Sequence, residues 1–325
     1  MKNDQLFSQV ENYFARLYQF KPSLLGRGGT ATVYEVEPDV VVKASFLNSN
    51  DRLPYPRKKT LSKVKLRINP RHPEKNELLL EDLLIPISRE TASSICCSLT
   101  EASILKSTND VPYLVRYLDQ YFLESNGYLV SILMVSKVDG NTLPSSETQL
   151  PIQDCAKAVA DVSYSLGILH DRGIVHRDIK PKNIIYLNRS RCGDGDTTLI
   201  DFGSAQLVGS PFSYEQVVAS CLGICFSTEG FSSPELERGE SPTFSDDTFS
   251  LGVTSYYLLT GTVPFTIEQI REYSPSTVEK ARRDISRINL SPQLVTALMK
   301  TLAVNPEERD LGPLKNEMLA LSRAK

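Results

Sequence analysis

The sequence predicts an α+β fold in two lobes with a cleft between them: a strand-rich first part, then a mostly helical second part. Three observations carry this. Up to about residue 136 strand patterns dominate, among them the β-branched run of 39–45; beyond Asn141 apolar residues recur at three-to-four spacing. The length, 325 residues, suits one large domain or two lobes.

Residues 5–19 read as a helix, with Leu6, Val10, Tyr13, Phe14 and Leu17 at helical spacing, so 1–19 is taken as a helical extension. "SLLGRGGTATVYEVE" (23–37) reads as a hairpin around a glycine-rich turn, and "DVVVKAS" (39–45) as a short strand carrying one lysine, Lys43. Composition then changes. Over about 48–76 nine Lys and Arg face only Asp51 and Glu74, a local charge of +7, and four prolines predict an irregular insertion in which "LSKVKLRI" (61–68) forms one alternating strand. "ELLLEDLLIPI" (77–87) and "SLTEASILKS" (98–107) are read as helices separated by Pro86. "VPYLVRYLDQYF" and "GYLVSILMVS" return to strand character, placing the N-lobe at about 20–135. Helices are expected at 154–173, 246–261 and 291–303, within a C-lobe of about 139–320.

Composition narrows the function classes. Hydrophobic residues make up 41%, charged residues 23%, and the net charge is −3, so bulk charge nominates neither nucleic acid nor membrane as a partner. The N-terminal residues lack a signal peptide's apolar core, no stretch reaches the roughly 18 apolar residues of a membrane span, and Gly is absent at position 2. An intracellular, cytoplasmic protein is expected, with its six cysteines reduced; they show no paired C-x-x-C spacing and read as buried or incidental thiols.

Five elements carry candidate chemistry. In "GRGGTATV" the glycines let a hairpin backbone approach a ligand closely, N–H groups facing phosphate oxygens; a merely structural turn is the plain alternative. Lys43 follows on the next strand, although a strand lysine usually points to solvent. Glu101, with Leu105 on the same helical face, could pair with Lys43, as could Glu77, Glu81 or Glu90. In "HRDIKPKN" (176–183) Asp178 can accept a hydroxyl proton, Lys180 offset phosphate charge, and Asn183 give an oxygen to a hard cation; a solvated turn competes. Eighteen positions on, "TTLIDFGSA" ends a β-branched run in Asp201-Phe202-Gly203, where a carboxylate can bridge metal and phosphate.

In this order the elements resemble the eukaryotic-type Ser/Thr protein kinase catalytic domain, over about residues 20–320. Further landmarks agree: "VPYLV" after the helix, "TEGFSSPE" with Ser233 where Ala is usual, "DTFSLGV" with Asp247 in the aspartate position and Phe249 where Trp is common, and Arg309 in "NPEERD" opposite Glu235. The resemblance implies a bilobal protein-kinase-like fold, its N-lobe antiparallel and β-rich with one main helix and its C-lobe mostly helical, together with transfer of the γ-phosphoryl of ATP to protein Ser/Thr hydroxyls and Mg²⁺ as cofactor. It assigns nucleotide contacts to Leu25, Gly26, Arg27, Gly28, Gly29, Thr30, Ala31, Thr32 and Val33, with Ala31 in place of the third glycine. It also assigns Lys43 to the α and β phosphates, Glu101 to orienting it, and the hinge near Ser136–Val138 to the adenine, with Val135 as gatekeeper. Asp201 and Asn183 become the metal ligands, Asp178 the hydroxyl acceptor, Lys180 the γ-phosphate partner, and Thr228 a brace for Asp178 and Lys180. His176 is assigned to core packing, and Arg177 to pairing with a phosphate on Ser210, Ser213, Tyr214 or Ser220.

Two other readings stand beside it: an ATP-binding pseudokinase scaffold, and a small-molecule kinase of similar fold. The first is disfavoured by retention of Lys43, Asp178 and Asp201 together, the second by the intact SPE segment and Thr228. The spacing of 58 residues from Lys43 to Glu101 is the main departure from the family. The basic stretch within it suits an acidic docking partner, or is a solvated insertion. With the last motif at Arg309, little room is expected for a separate regulatory domain.

Overall fold

The computed structural model describes residues 11, 12, 15, 22–27, 31–46, 59–61, 64–67, 77–80, 83–86, 89–125, 128–143, 150–187, 196–208 and 230–324. Residues 11, 12 and 15 are helical; the rest of the expected N-terminal helix lies outside the described residues. The chain divides into two compact units, the first running to 109 plus 115–138, the second comprising 110–114 and the chain from 139 onward, with some loop residues aside. No helix among the described residues is long and apolar enough to cross a membrane.

The first unit is built on a six-stranded antiparallel sheet. Strands β1 (Ser23–Arg27), β2 (Ala31–Glu37), β3 (Val40–Phe46) and β4 (Lys59–Leu61) join the later hairpin β8 (Tyr117–Ser125) and β9 (Tyr128–Ser136) in the order β1-β2-β3-β9-β8-β4. Alternation dictates the two faces. On β2, Tyr34 and Val36 are fully buried between the half-buried Glu35 and Glu37. With Val42 and Ala44 of β3, Leu123, Val130 and Ile132 they form one core cluster.

The opposite face takes the neighbours in sequence: Lys43, Gln120 and Ser131. Helix α1 (Arg89–Ser107) covers that side, where Ser98 Oγ donates to Ser131 Oγ and Gln120 Nε2 donates to Ser98 O at 3.1 Å. Thr108 Oγ1 donates back to Ile104 O at 2.9 Å, satisfying a carbonyl at the helix's C-terminal end.

Between β4 and α1 lies a second sheet, a meander of β5 (Val64–Arg67), β6 (Glu77–Leu80) and β7 (Leu83–Pro86). Two expectations are corrected here. "ELLLEDLLIPI" is a hairpin rather than a helix, Leu78 opposite Ile85 and Leu80 opposite Leu83. Two apolar runs of four or fewer residues meet at Glu81-Asp82, too short for helical turns before Pro86 but sufficient for strands. "LSKVKLRI" likewise is divided between β4 and β5, which belong to different sheets.

The second unit is mainly helical. After β10 (Asn141–Thr142), the long helix α2 (Ile152–Asp171) buries Val159, Val162, Leu166 and Leu169 on one stripe. Strand β11 (Ile174–Val175) pairs with β14 (Gln206–Leu207), and β12 (Ile184–Leu187) forms an antiparallel hairpin with β13 (Asp196–Leu199). Helices α3 (Pro234–Glu237), α4 (Phe244–Thr260), α5 (Ile267–Arg271), α6 (Pro275–Ile285), α7 (Pro292–Thr301) and α8 (Leu311–Ser322) follow. A capping box of Thr243 and Asp246 starts α4, and Gly261 ends it at φ 78°. Where α4 meets α7, a Cβ added at Gly252 would lie 2.1 Å from Thr301 Oγ1, so that crossing needs glycine. Cys155, on α2, is buried and in no disulfide, its Sγ donating to Leu150 O at 3.9 Å.

Candidate active site

In the first unit strand parity sends Lys43 to the helix-covered face, between Val33 and Leu133 in register. There Lys43 Nζ and Glu101 Oε1 form an ion pair of 2.8 Å, with Glu101 buried and the lysine about one-fifth exposed. Glu101 sits one helical turn beyond Ser98, whose bonds to Gln120 and Ser131 fix the helix against the sheet. Glu101 thus meets Lys43; the side chains of Glu77, Glu81 and Glu90, the other glutamates open as partners, lie outside the described residues. On the outer strands Ala31 and Thr32 are buried, Gly26 and Val33 half-buried, and Leu25 is exposed.

Of the residues expected near the adenine, Ser136 ends β9 and Lys137 and Val138 follow it. Ser136 N donates to Arg116 O at 2.9 Å, Lys137 N donates to Asp39 O at 2.9 Å, and Val138 is half-buried. The turn residues Gly28, Gly29 and Thr30, the side chain of Arg27, and Thr228 with Ser210, Ser213, Tyr214 and Ser220, lie outside the described residues.

In the second unit the loop after β11 is organised by a buried carboxylate. Asp247, in the first turn of α4, accepts from His176 N and Arg177 N, each at 2.8 Å, and from His170 Nε2 at 3.0 Å. Burial alone would raise the Asp247 pKa, but the hydrogen bond and charge of His170, together with the charge and backbone N–H of His176, outweigh it and hold the carboxyl below its ordinary value. Held this way, Arg177 takes φ 68°, a costly left-handed conformation for a residue with a Cβ. His176 is fully buried, its ring edge-on to Phe202 at 4.7 Å, and burial pushes its pKa down. It is a packing residue, as the sequence suggested.

The result is a tight polar cluster. Asp178 Oδ2 accepts from Lys180 Nζ at 2.7 Å and from Asn183 Nδ2 at 2.8 Å, while Asn183 Nδ2 also donates to Asp178 O at 2.8 Å. Committing its amide nitrogen leaves Asn183 its side-chain oxygen, the donor type a hard cation takes. Asn183 O accepts from Ile200 N at 2.8 Å, so the two ends of the β12–β13 hairpin are tied, and Asp201 follows directly at φ 64° with its Oδ1 accepting from Gly203 N at 3.3 Å. Arg177 Nη1 meanwhile donates to Gln206 Oε1 at 3.2 Å. Among the described residues no group of three or more His, Cys, Asp or Glu is placed to hold a metal alone. One carboxylate and one carboxamide fit Mg²⁺ that is also bound through phosphate oxygens.

Sequence reasoning missed several supports. His170 was given no role, yet it holds Asp247. Two buried carboxylates of α2 anchor the hairpin: Asp154 accepts from Tyr186 OH at 2.7 Å and Asp161 from Thr197 Oγ1 at 2.7 Å, with Lys157 as the counter-ion of Asp161. Farther along, Glu235 receives a bidentate pair from Arg309, at 2.8 and 3.1 Å, and the Arg309 guanidinium stacks on Phe249 at 4.9 Å. Ser233 caps α3 and donates to Asp246 Oδ1, a bond that alanine at this position could not make.

Comparison with known proteins bears on all of this. Over 209 residues the chain is 29% identical to the serine/threonine-protein kinase PknB of Mycobacterium leprae, covering 61% of this chain and 31% of that protein. It is 32% identical over 214 residues to the serine/threonine-protein kinase PknA of Nostoc sp., covering 64% and 35%. The calcium/calmodulin-dependent protein kinase cmkA of Emericella nidulans is 29% identical over 172 residues, covering 53% and 39%. The chain thus spans roughly a third of the length of these relatives. The Protein kinase domain family matches residues 86–311, a span from the end of β7 to the start of α8 that contains Glu101, the Asp178 loop, Asp201, Asp247 and Arg309, and the chain belongs to that family.

Proposed function

We propose that the chain transfers the γ-phosphoryl group of Mg-ATP to Ser and Thr hydroxyls of protein substrates. The observation that carries this is the Asp178–Lys180–Asn183 cluster on a loop pinned by Asp247: an acceptor, a cation and a metal-type oxygen pre-positioned together. The names of the relatives and the family membership support the Ser/Thr class, as does Lys180 in the "KPKN" form. Retention of Lys43, Asp178 and Asp201 speaks against the scaffold reading, and the SPE segment against a small-molecule substrate.

Phosphoryl transfer asks mostly for positioning and charge stabilisation. Asp178 orients the substrate hydroxyl and accepts its proton as the O–P bond forms and the bond from the γ-phosphorus to its bridging oxygen breaks, releasing ADP. Lys180, already within bonding distance of Asp178, offsets charge on the transferred group. Lys43, oriented by Glu101, neutralises α and β phosphate oxygens. Asn183 and Asp201 hold Mg²⁺, which when bound supplies further charge neutralisation at the phosphates. The adenine takes the backbone near Ser136–Val138, and the glycine-rich turn its phosphates. The +7 insertion takes an acidic docking partner, and the setting is the cytoplasm.

Asp178→Asn and Lys43→Met, assayed with Mg-ATP on a generic basic substrate, should each lose about a hundredfold or more of turnover per KM. Activity near wild type in either variant overturns the assignment. A Ser/Thr peptide library run alongside reads the hydroxyl preference directly.

A further inference from the structure

Away from the Asp178 cluster, the second unit holds a cavity of about 340 Å³ where α2, the first turn of α4 and the N-terminal turns of α8 meet. That is within the size range of small-molecule sites. Asp310 lines the cavity, its carboxylate already engaged by Lys300 Nζ and Gly312 N, each at 2.9 Å; three other features of the walls bear on a ligand. One is aromatic: His170 and Phe244 stack at 4.9 Å with 29° between their rings, and Phe244 remains 38% exposed. One is cationic: Lys315 is half-buried against the cavity and forms no hydrogen bond or ion pair with any described residue. The third is a notch left by Gly167.

Gly167 sits inside a 20-residue helix, where glycine costs about 1 kcal/mol relative to alanine. Elsewhere in the unit a glycine has a local reason: Gly252 lets helices touch, Gly261 takes a positive φ. Gly167 has neither, for a Cβ built there meets nothing within 4 Å. What its missing side chain provides is open space on the cavity side of α2.

The cavity is also wired to the loop. His170, one of its walls, donates to Asp247, and Asp247 holds the amides of His176 and Arg177. A ligand that presses on the His170–Phe244 stack therefore acts two hydrogen bonds away from Asp178's neighbours.

We propose that this cavity binds a small anion with a flat apolar body, an aromatic carboxylate in chemical class, stacked on Phe244 and His170 with its charge on Lys315, and that occupancy is transmitted through Asp247 to the loop amides. The flat body follows from the stacked wall and the notch, the charge from the unpaired ammonium.

The test uses the full chain with 2-naphthoate as probe and 2-naphthamide as its uncharged counterpart, binding read by calorimetry. The sequence has only three histidines, so ¹⁵N-histidine labelling gives a simple amide spectrum in which His176 reports on the loop. Wild type should bind 2-naphthoate with a Kd of about a millimolar or tighter and the amide at least about fivefold more weakly, with the His176 amide shifting as the site fills. Gly167→Leu, whose Cβ meets no neighbour and whose side chain extends into the notch, should abolish binding and the shift while melting no lower than wild type. Lys315→Gln should erase the preference for the anion. Binding undiminished in Gly167→Leu, an anion preference surviving in Lys315→Gln, or an unmoved His176 amide at saturation each overturns the proposal; should Gly167→Leu not fold, the Lys315→Gln comparison decides alone. None of these readouts uses phosphoryl transfer, so they stand or fall apart from the function proposed above.

Discussion

At Asp247 one side chain does the work of three. A fully buried carboxylate accepts two backbone N–H groups and a histidine N–H, and in return keeps Arg177 in a conformation that the free loop would avoid. Asn at this position keeps one acceptor oxygen but turns an N–H₂ toward donors, stranding at least one buried amide. Asp247→Asn should therefore cost about 2–3 kcal/mol of stability in urea unfolding. Under conditions where it is still folded, turnover should fall more than the KM for ATP changes, because the loop loses alignment while Lys43–Glu101 is untouched. Equal effects on both parameters would assign Asp247 a bulk structural role. Asp247 could be picked out of the sequence because it stands in a motif, whereas Asp154, Asp161 and Asp246 could not. Lys157–Asp161 has the spacing of an ordinary exposed helix pair, and only the packing of β13 against α2 reveals that the aspartate is buried and bonded to Thr197.

Elements were legible where their periodicity was long and ambiguous where it was short. The 20 residues of α2 and the 17 of α4 repeat their apolar stripes often enough to be unmistakable. Residues 77–87 offer only two leucine-rich runs around Glu-Asp, which helix and hairpin explain equally well until pairing is seen. Contacts between elements leave still less trace: nothing local marks Gly252 as the place where α4 touches α7. Gly252→Ala would drive a methyl into Thr301, with Leu302 Cδ2 only 3.0 Å from the new carbon. Alanine normally stabilises a helix interior, so the propensity gain of about 1 kcal/mol and the overpacking cost of about 1–3 kcal/mol oppose each other. Overpacking should win, because the contact falls on a buried β-branched side chain that cannot swing away. The urea midpoint should drop in Gly252→Ala and recover in part in Gly252→Ala/Thr301→Ala, which removes the Oγ1 that the new methyl would strike; a single variant as stable as wild type would show that the two helices slide freely.

For the molecule as a whole, pH brings these buried groups into one balance. His176 has its pKa lowered from 6.5 by burial, so below that value the unfolded chain takes up a proton that the folded chain refuses, and stability falls as pH drops from about 7. Asp247, held below 3.8, contributes stability above that value and loses it as pH falls through its lowered folded pKa. Asp161 and Asp246 act in the opposite sense. Burial raises both, so each favours the fold below 3.8 and loses that contribution as pH rises through its raised value. Total stability across the acid range thus mixes opposing slopes, but the histidine share can be isolated. His176→Phe keeps a ring against Phe202 and removes the titrating group. The stability of wild type relative to this variant should fall by about 1–2 kcal/mol between pH 7 and pH 5, read from paired urea denaturations. A gap that stays constant across that window would mean that His176 takes up its proton as readily in the folded chain as in the unfolded one, and that the packing against Phe202 does not exclude charge.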